Sequence, residues 1–108
     1  MYERKILLGF IHIHILHHAA EPSGIYGVEM MQELKSHGYT ISPGTLYPIL
    51  HAMKNDGVLT SKKRTHQGKQ RILYFITPKG RQTLNRLKNF IKELSNEVMT
   101  STSLKSKN

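Results

Sequence analysis

Glu3–Ala20 reads as a helix that is apolar around most of its circumference, ended by the breaker cluster Glu21-Pro22-Ser23-Gly24. Ile6, Phe10 and Ile13 make one stripe, and Leu7, Leu8, Ile11 and Ile15 make another; only a sector around Lys5 and His12 is polar. A helix apolar nearly all round is buried nearly all round. With 108 residues the chain is near the size at which one core is only just sufficient, so it cannot bury both stripes alone. The second stripe, Leu7 to Ile15, therefore implies another subunit.

The following segments are shorter and more conventional. Ile25–His37 reads as a second helix with Val28, Met31 and Leu34 inward and Gly38 as its stop. Within Ile41–Val58, Ser42 is an N-cap and Pro43 suits the first helical position; Leu46, Ile49, Leu50 and Met53 then form the apolar stripe of a half-buried helix. Two helices joined by about four residues make a helix-turn-helix. Pro48 lies inside the second and predicts a local distortion there, since it cannot donate to the Gly44 carbonyl. Leu59–Thr65 and Gln70–Thr77 are strands around the turn His66-Gln67-Gly68-Lys69, the wing of a winged helix. Ile72, Tyr74 and Ile76 alternate inward, while Leu73 and Phe75 make the other face apolar and call for a cover, expected from the terminal helix.

Thr77 and Pro78 open a last helix running to about Met99, with Leu84, Leu87, Ile91, Leu94 and Val98 spaced 3, 4, 3, 4 and Phe90 widening the stripe. Two heptads form a marginal coiled coil, so this seam is expected to pack with the first helix of a partner. The tail Thr100–Asn108 reads as disordered. The chain thus divides into a DNA-binding unit at 1–78, a dimerisation helix at 79–99 and a tail at 100–108. The expected fold is mainly α with a small β-hairpin: a winged helix-turn-helix whose N- and C-terminal helices form a dimer interface.

Sixteen Lys and Arg against seven Asp and Glu give a formal charge of +9, which suits a polyanionic partner. Cysteine is absent, which removes disulfides and thiolate metal sites. No run approaches the ~20 apolar residues of a membrane span, and a cytoplasmic protein is expected. The carboxylates are scattered, and there is no Ser/His/Asp set with supporting motifs and no phosphate-cradling Gly loop, so an enzyme is not expected, nor a cofactor.

Tyr26-Gly27, the string Ser42-Pro43-Gly44-Thr45-Leu46-Tyr47-Pro48-Ile49-Leu50, Asp56-Gly57-Val58-Leu59 and the wing's exit Tyr74-Phe75-Ile76-Thr77-Pro78-Lys79-Gly80 resemble the PadR-like family of winged-helix transcriptional repressors over about residues 5–95. The resemblance implies a short-form homodimer, with one helix after the wing, that binds an inverted repeat near a promoter. It also implies that Pro48 is tolerated in its helix. The chain departs from the family pattern at Ile72, Leu73 and Phe75, where basic or aromatic residues are commoner. It has no tryptophan, so the paired-indole drug platform of some multidrug-sensing relatives is absent.

On this reading the Ser42 helix enters the major groove. Ser42 and Gly44 give its amide end to a phosphate; Thr45 can meet a base, a thymine methyl or a phosphate, Tyr47 offers its hydroxyl to the DNA backbone and its ring to a methyl, and His51 is a further candidate. Lys62, Arg64, Lys69 and Arg71 track phosphates, with Gln67 at the wing tip; Tyr26, at the opening of the second helix, is a further candidate DNA contact. Leu84, Leu87, Phe90, Ile91, Leu94 and Val98 are the candidate dimer contacts, and Phe10, Ile13, Phe90 and Ile91 are candidates to line a pocket for a small apolar or aromatic effector. Seven histidines is a high density, and His14, His17 and His18 share an arc of the first helix. His14 and His18 at i, i+4 can chelate a metal if further ligands come from elsewhere. The partners expected are double-stranded DNA and a second copy. The function expected is a ligand-released repressor on a palindromic operator, the alternatives being a protein-interaction module or a metal-responsive regulator.

Overall fold

Residues 2–100 are described by a computed structural model. The core gathers where three helices and a small sheet each turn one apolar face inward. Helix α1 (Tyr2–Ala19) contributes Ile11, Ile15, Leu16 and Ala19; α2 (Gly27–Ser36) contributes Met30 and Leu34; α3 (Pro43–Asn55) contributes Leu46, Leu50 and Met53. Strands β1 (Ile25–Tyr26), β2 (Leu59–His66) and β3 (Lys69–Ile76) form an antiparallel sheet in the order β1-β3-β2, which adds Ile25, Leu59 and Tyr74. Helix α4 (Pro78–Met99) enters this core through Leu84, with the half-buried Leu87 packed against it. The rest of its 22 residues, on the order of 33 Å in all, flanks α1 with its side chains largely exposed.

Several expectations are corrected. The stripe of α1 assigned to a partner, Leu8, Ile11 and Ile15, is the one that faces the chain's own core, while Ile6 and Phe10 of the other stripe are exposed. Leu7 alone of the second stripe stays at the surface. Ile25 and Tyr26 do not begin a helix. They pair with Tyr74 and Leu73 as a third strand, and the chain turns helical only at Gly27. In α2 the fully buried methionine is Met30, not Met31. In β3, Ile72 is exposed whereas Leu73 on the opposite face is buried. That second face is covered by Gly24, packed on the Phe75 ring, and by Lys62, whose ammonium lies 5.7 Å from the same ring. The terminal helix lies instead against the other face of β3, where Gly80 packs on Ile76. Leu84 belongs to the chain's own core and is not left free for a partner. The expected tail lies outside the described residues beyond Thr100, the C-cap of α4.

The hairpin closes through Gln67 and Gly68, both at positive φ (54° and 76°), the turn whose twist matches that of the paired strands. Pro48 leaves α3 continuous, its missing N–H falling at the exposed Gly44 carbonyl. The junction between α3 and α4 is tightly tied. Thr77 Oγ1 accepts from the Gly80 amide at 3.0 Å and donates to the Gly57 carbonyl at 2.6 Å, while Lys79 Nζ donates to the Asp56 carbonyl at 2.8 Å. No helix of the described residues is long and apolar enough to cross a membrane.

Candidate nucleic-acid interface

Ser42 begins α3 with its carbonyl accepting from the Thr45 and Leu46 amides at 3.0 and 2.9 Å. Its hydroxyl caps no amide and sits instead 3.3 Å from Thr45 Oγ1. The amide end of α3 is therefore uncapped by a side chain, as an anion-binding helix terminus requires. Gly44, Tyr47, Pro48 and His51 follow along its exposed side, with no charge among them; Thr45 is half-buried.

Tyr47 is held from behind. A Cβ at Gly27 would lie 2.7 Å from Tyr47 Cε1, so the ring rests directly on the first residue of α2. The Tyr26-Gly27 pair is thus explained: Tyr26 ends the strand, and Gly27 leaves room for the ring. The Tyr26 amide also donates to Glu29 Oε1 at 2.9 Å, which fixes the start of α2.

Strand register sorts the wing. Residues directly opposite on antiparallel strands share a face. Lys62 pairs with Leu73, Arg64 with Arg71 and His66 with Lys69, so all of these lie on the face away from the core; Lys63, opposite Ile72, lies on the other. Tyr26, opposite Leu73, joins the first group, and its ring stacks on His66 with centroids 4.1 Å apart. His66 is the member that composition did not single out, although alternation from Arg64 would have found it. Arg64 and Arg71 face each other with like charge, an arrangement that destabilises a strand pair unless an anion joins it. Arg71 Nε is buried and has no hydrogen-bond partner among the described residues. Gln67 occupies the exposed tip.

The second assembly of residues lies between α1 and α4. A groove of about 540 Å³ is lined by Phe10, Ile13, His14, His17, Tyr39, Leu84, Ile91, Leu94 and Val98, among others. Of the expected pocket residues it brings together Phe10, Ile13 and Ile91. Phe90 is not among its walls, and at 70 % exposure it projects from α4 elsewhere. Ile91, Leu94 and Val98 remain 42 %, 53 % and 61 % exposed, so the outer half of the heptad stripe is bare in the single chain.

The histidines converge, but not as the sequence suggested. His14 and His18 are joined by His37, the C-cap of α2, and one ligand nitrogen from each lies within 4.8 Å of the others. His17 is excluded from this set; its ring meets His18 edge-on. Burial holds His14 below the ordinary histidine value, aided by the His37, His18 and His17 rings. Burial also lowers His18, opposed but not reversed by the Glu33 carboxylate. Unfolded, both rings titrate at the ordinary value, so the unfolded chain takes up protons first as pH falls. The stability contributed is complete above about pH 6.5 and is lost as pH drops through the depressed folded values. In chelator-treated protein the melting temperature is expected to decline between about pH 7 and pH 5. The decline should be shallower in His18→Asn, as a thermal melt series would show.

Residues 15–86 match the model of the Transcriptional regulator PadR-like family. The chain belongs to the PadR-like family. The transcriptional regulator Rv3488 of Mycobacterium tuberculosis is 43 % identical to this PadR-like chain over 96 residues, which cover 89 % of each protein. Among solved structures, a PadR-like transcriptional regulator of Bacillus cereus superposes with a TM-score of 0.82 at 27 % identity, covering 91 % of this chain and 96 % of that one. A PadR-like transcription factor of Bacteroides fragilis gives 0.75 at 30 % identity, covering 90 % and 94 %. This PadR-like chain is accordingly a transcriptional regulator and not an enzyme, built on the winged-helix fold of its relatives.

Proposed function

We propose that this PadR-like regulator acts as a cytoplasmic homodimeric repressor that reads a palindromic operator and is released by a small apolar or aromatic ligand. The observation that carries the reading is the division of labour between two neighbouring elements. Helix α3 offers an uncharged exposed face with an uncapped amide end, and one face of the wing collects Lys62, Arg64, His66, Lys69 and Arg71. Phosphate contacts supply affinity without sequence information, and base contacts supply selectivity. The Arg64–Arg71 pair suits a phosphate, since an anion would relieve the like charge and satisfy the buried Nε. Thr45 and Tyr47 are the base readers. In a two-fold dimer the two α3 helices would address half-sites about one DNA turn apart, roughly 34 Å or a multiple of it.

The test is fluorescence anisotropy with DNA from upstream of the protein's own coding region, against random DNA, at two salt concentrations. Arg71→Ala is expected to weaken binding to both DNAs and to reduce the salt slope by about 0.9 for each phosphate that the arginine neutralises. Thr45→Ala and Tyr47→Phe are expected to weaken operator binding selectively, by roughly 5- to 100-fold, the range of one base contact. Phenylalanine is used at Tyr47 because the ring must stay against Gly27. Wild-type binding that is weak, salt-sensitive and blind to sequence would replace this reading with a non-specific or protein-interaction role. The groove between α1 and α4 is the proposed effector site, Phe10, Ile13 and Ile91 being its apolar walls.

A further inference from the structure

We propose that His14, His18 and His37, with Glu33 completing the set, form a binding site for a divalent transition metal of the zinc type. Two i, i+4 pairs on different helices face one another here: His14 and His18 on α1, Glu33 and His37 at the end of α2. The three rings stack side by side, His14 lying 4.9 Å from His37 and 6.1 Å from His18 between centroids. Both His18 Nε2 and His37 Nε2 approach the same atom, Glu33 Oε2, at 3.8 and 3.9 Å. Those separations are too long for hydrogen bonds. They leave His18 Nε2 buried with no hydrogen-bond partner.

A buried ring nitrogen without a partner, beside two more imidazoles and one carboxylate, is a poor arrangement for an empty protein and a good one for a cation. A tetrahedral ion with bonds of about 2.0–2.1 Å holds its ligand atoms roughly 3.3 Å apart. The three nitrogens, already within 4.8 Å of one another, reach that spacing by small rotations. His37, exposed at the helix terminus, is the ring free to make most of the adjustment. Three imidazoles and a carboxylate, with no thiolate, select zinc, cobalt or nickel over calcium and magnesium, which require oxygen ligands.

The position gives the ion a consequence. It would tie α1 to the last turn of α2, immediately before the segment that leads into α3. His14 also lines the groove between α1 and α4 and meets Tyr39 edge-on, so the same ligand touches both regions. Any effect on operator affinity rests on the DNA-binding reading; metal binding itself does not.

The test uses the full chain after chelator treatment, titrated with Co²⁺ and followed by its visible spectrum, then displaced by Zn²⁺. One Co²⁺ per chain with the intense absorption of a tetrahedral site is expected for the wild type and for His17→Asn. His37→Asn, at an exposed helix end where asparagine is well tolerated, should lose the tetrahedral band and bind at least ~10-fold more weakly; Glu33→Gln should weaken binding by a similar order. Zn²⁺ should raise the melting temperature of the wild type clearly more than that of His37→Asn at the same concentration. A weak octahedral spectrum in the wild type, binding retained in His37→Asn, or equal loss in His17→Asn would overturn the site. No DNA enters the experiment, so its failure would leave the repressor reading untouched, and the reverse also holds.

Discussion

Ile91→Glu combined with Leu94→Glu is expected to dissociate the proposed homodimer while leaving its helical content intact. Both side chains are already about half exposed in the single chain, so nothing in the chain's own core depends on them. In a dimer joined through α4 they would be buried. Each Leu or Ile removed from water contributes roughly 1.5–3 kcal/mol, and each glutamate put in its place carries an unpaired charge that costs several kcal/mol to desolvate. With two substitutions in each subunit, the interface cannot form. Sedimentation or light scattering would report a halved mass. On the proposed palindromic operator, affinity should then fall by at least ~100-fold, because a lone subunit would hold only one half-site. The salt dependence should flatten to about half its wild-type slope, since a single subunit neutralises half as many phosphates. A variant that stays dimeric would place the interface elsewhere and would turn the bare stripe of α4 into a surface for a different partner.

Gly80→Ala is expected to be the most destabilising single change in the chain by one methyl group. A Cβ at this position would land on the Val58 carbonyl oxygen and would lie 2.8 Å from Ile76 Cγ1. The carbonyl cannot step aside, because it accepts the Thr77 amide at 3.1 Å. Relief would have to come from moving the whole start of α4, which would break the Thr77 cap and withdraw Leu84 from the core. Overpacking of this kind costs about 3 kcal/mol. For a domain of this size that lowers the melting temperature on the order of 10–20 °C. A thermal melt followed by far-ultraviolet circular dichroism would measure it; a fall of less than ~5 °C would mean that α4 is less firmly seated than its hydrogen bonds indicate.

Much of this architecture was readable because local chemistry and tertiary need agree. Ser42-Pro43 and Thr77-Pro78 mark the starts of α3 and α4, the Gln67-Gly68 turn fixes the hairpin, and Leu46, Leu50 and Met53 fall on one stripe. The misreadings share a different cause. Periodicity shows that α1 has two apolar faces but not which of them meets the chain's own core, since both are equally suited to burial. A two-residue strand such as Ile25–Tyr26 has no period to read and exists only because β3 offers an open edge. Ile72 and Leu73 are interchangeable by pattern; the loop at Gly24 and the side chain of Lys62, placed by the fold, decide which face is covered.

The candidate sites follow the same division. The basic wing residues were visible as charge, but their sharing of one face depends on register, and the pairing of Arg64 with Arg71 is a property of the hairpin. The histidine cluster was half legible: His14 and His18 stand on one helix at a recognisable spacing. His37 and Glu33 arrive from another helix, and no spacing within α1 could have called for them or excluded His17.

The ties at the foot of α4 bear on how the two halves of a dimer would keep step. Thr77 and Lys79 bind the helix to the Asp56 and Gly57 carbonyls at the very end of α3, so the two helices turn as one piece. In a dimer joined along α4, the crossing angle of the long helices would therefore set the distance between the reading helices, as the angle of a pair of compasses sets the span of its points. A ligand wedged beside α4 would need to touch neither DNA nor α3 to spoil that span. It would only have to open the hinge.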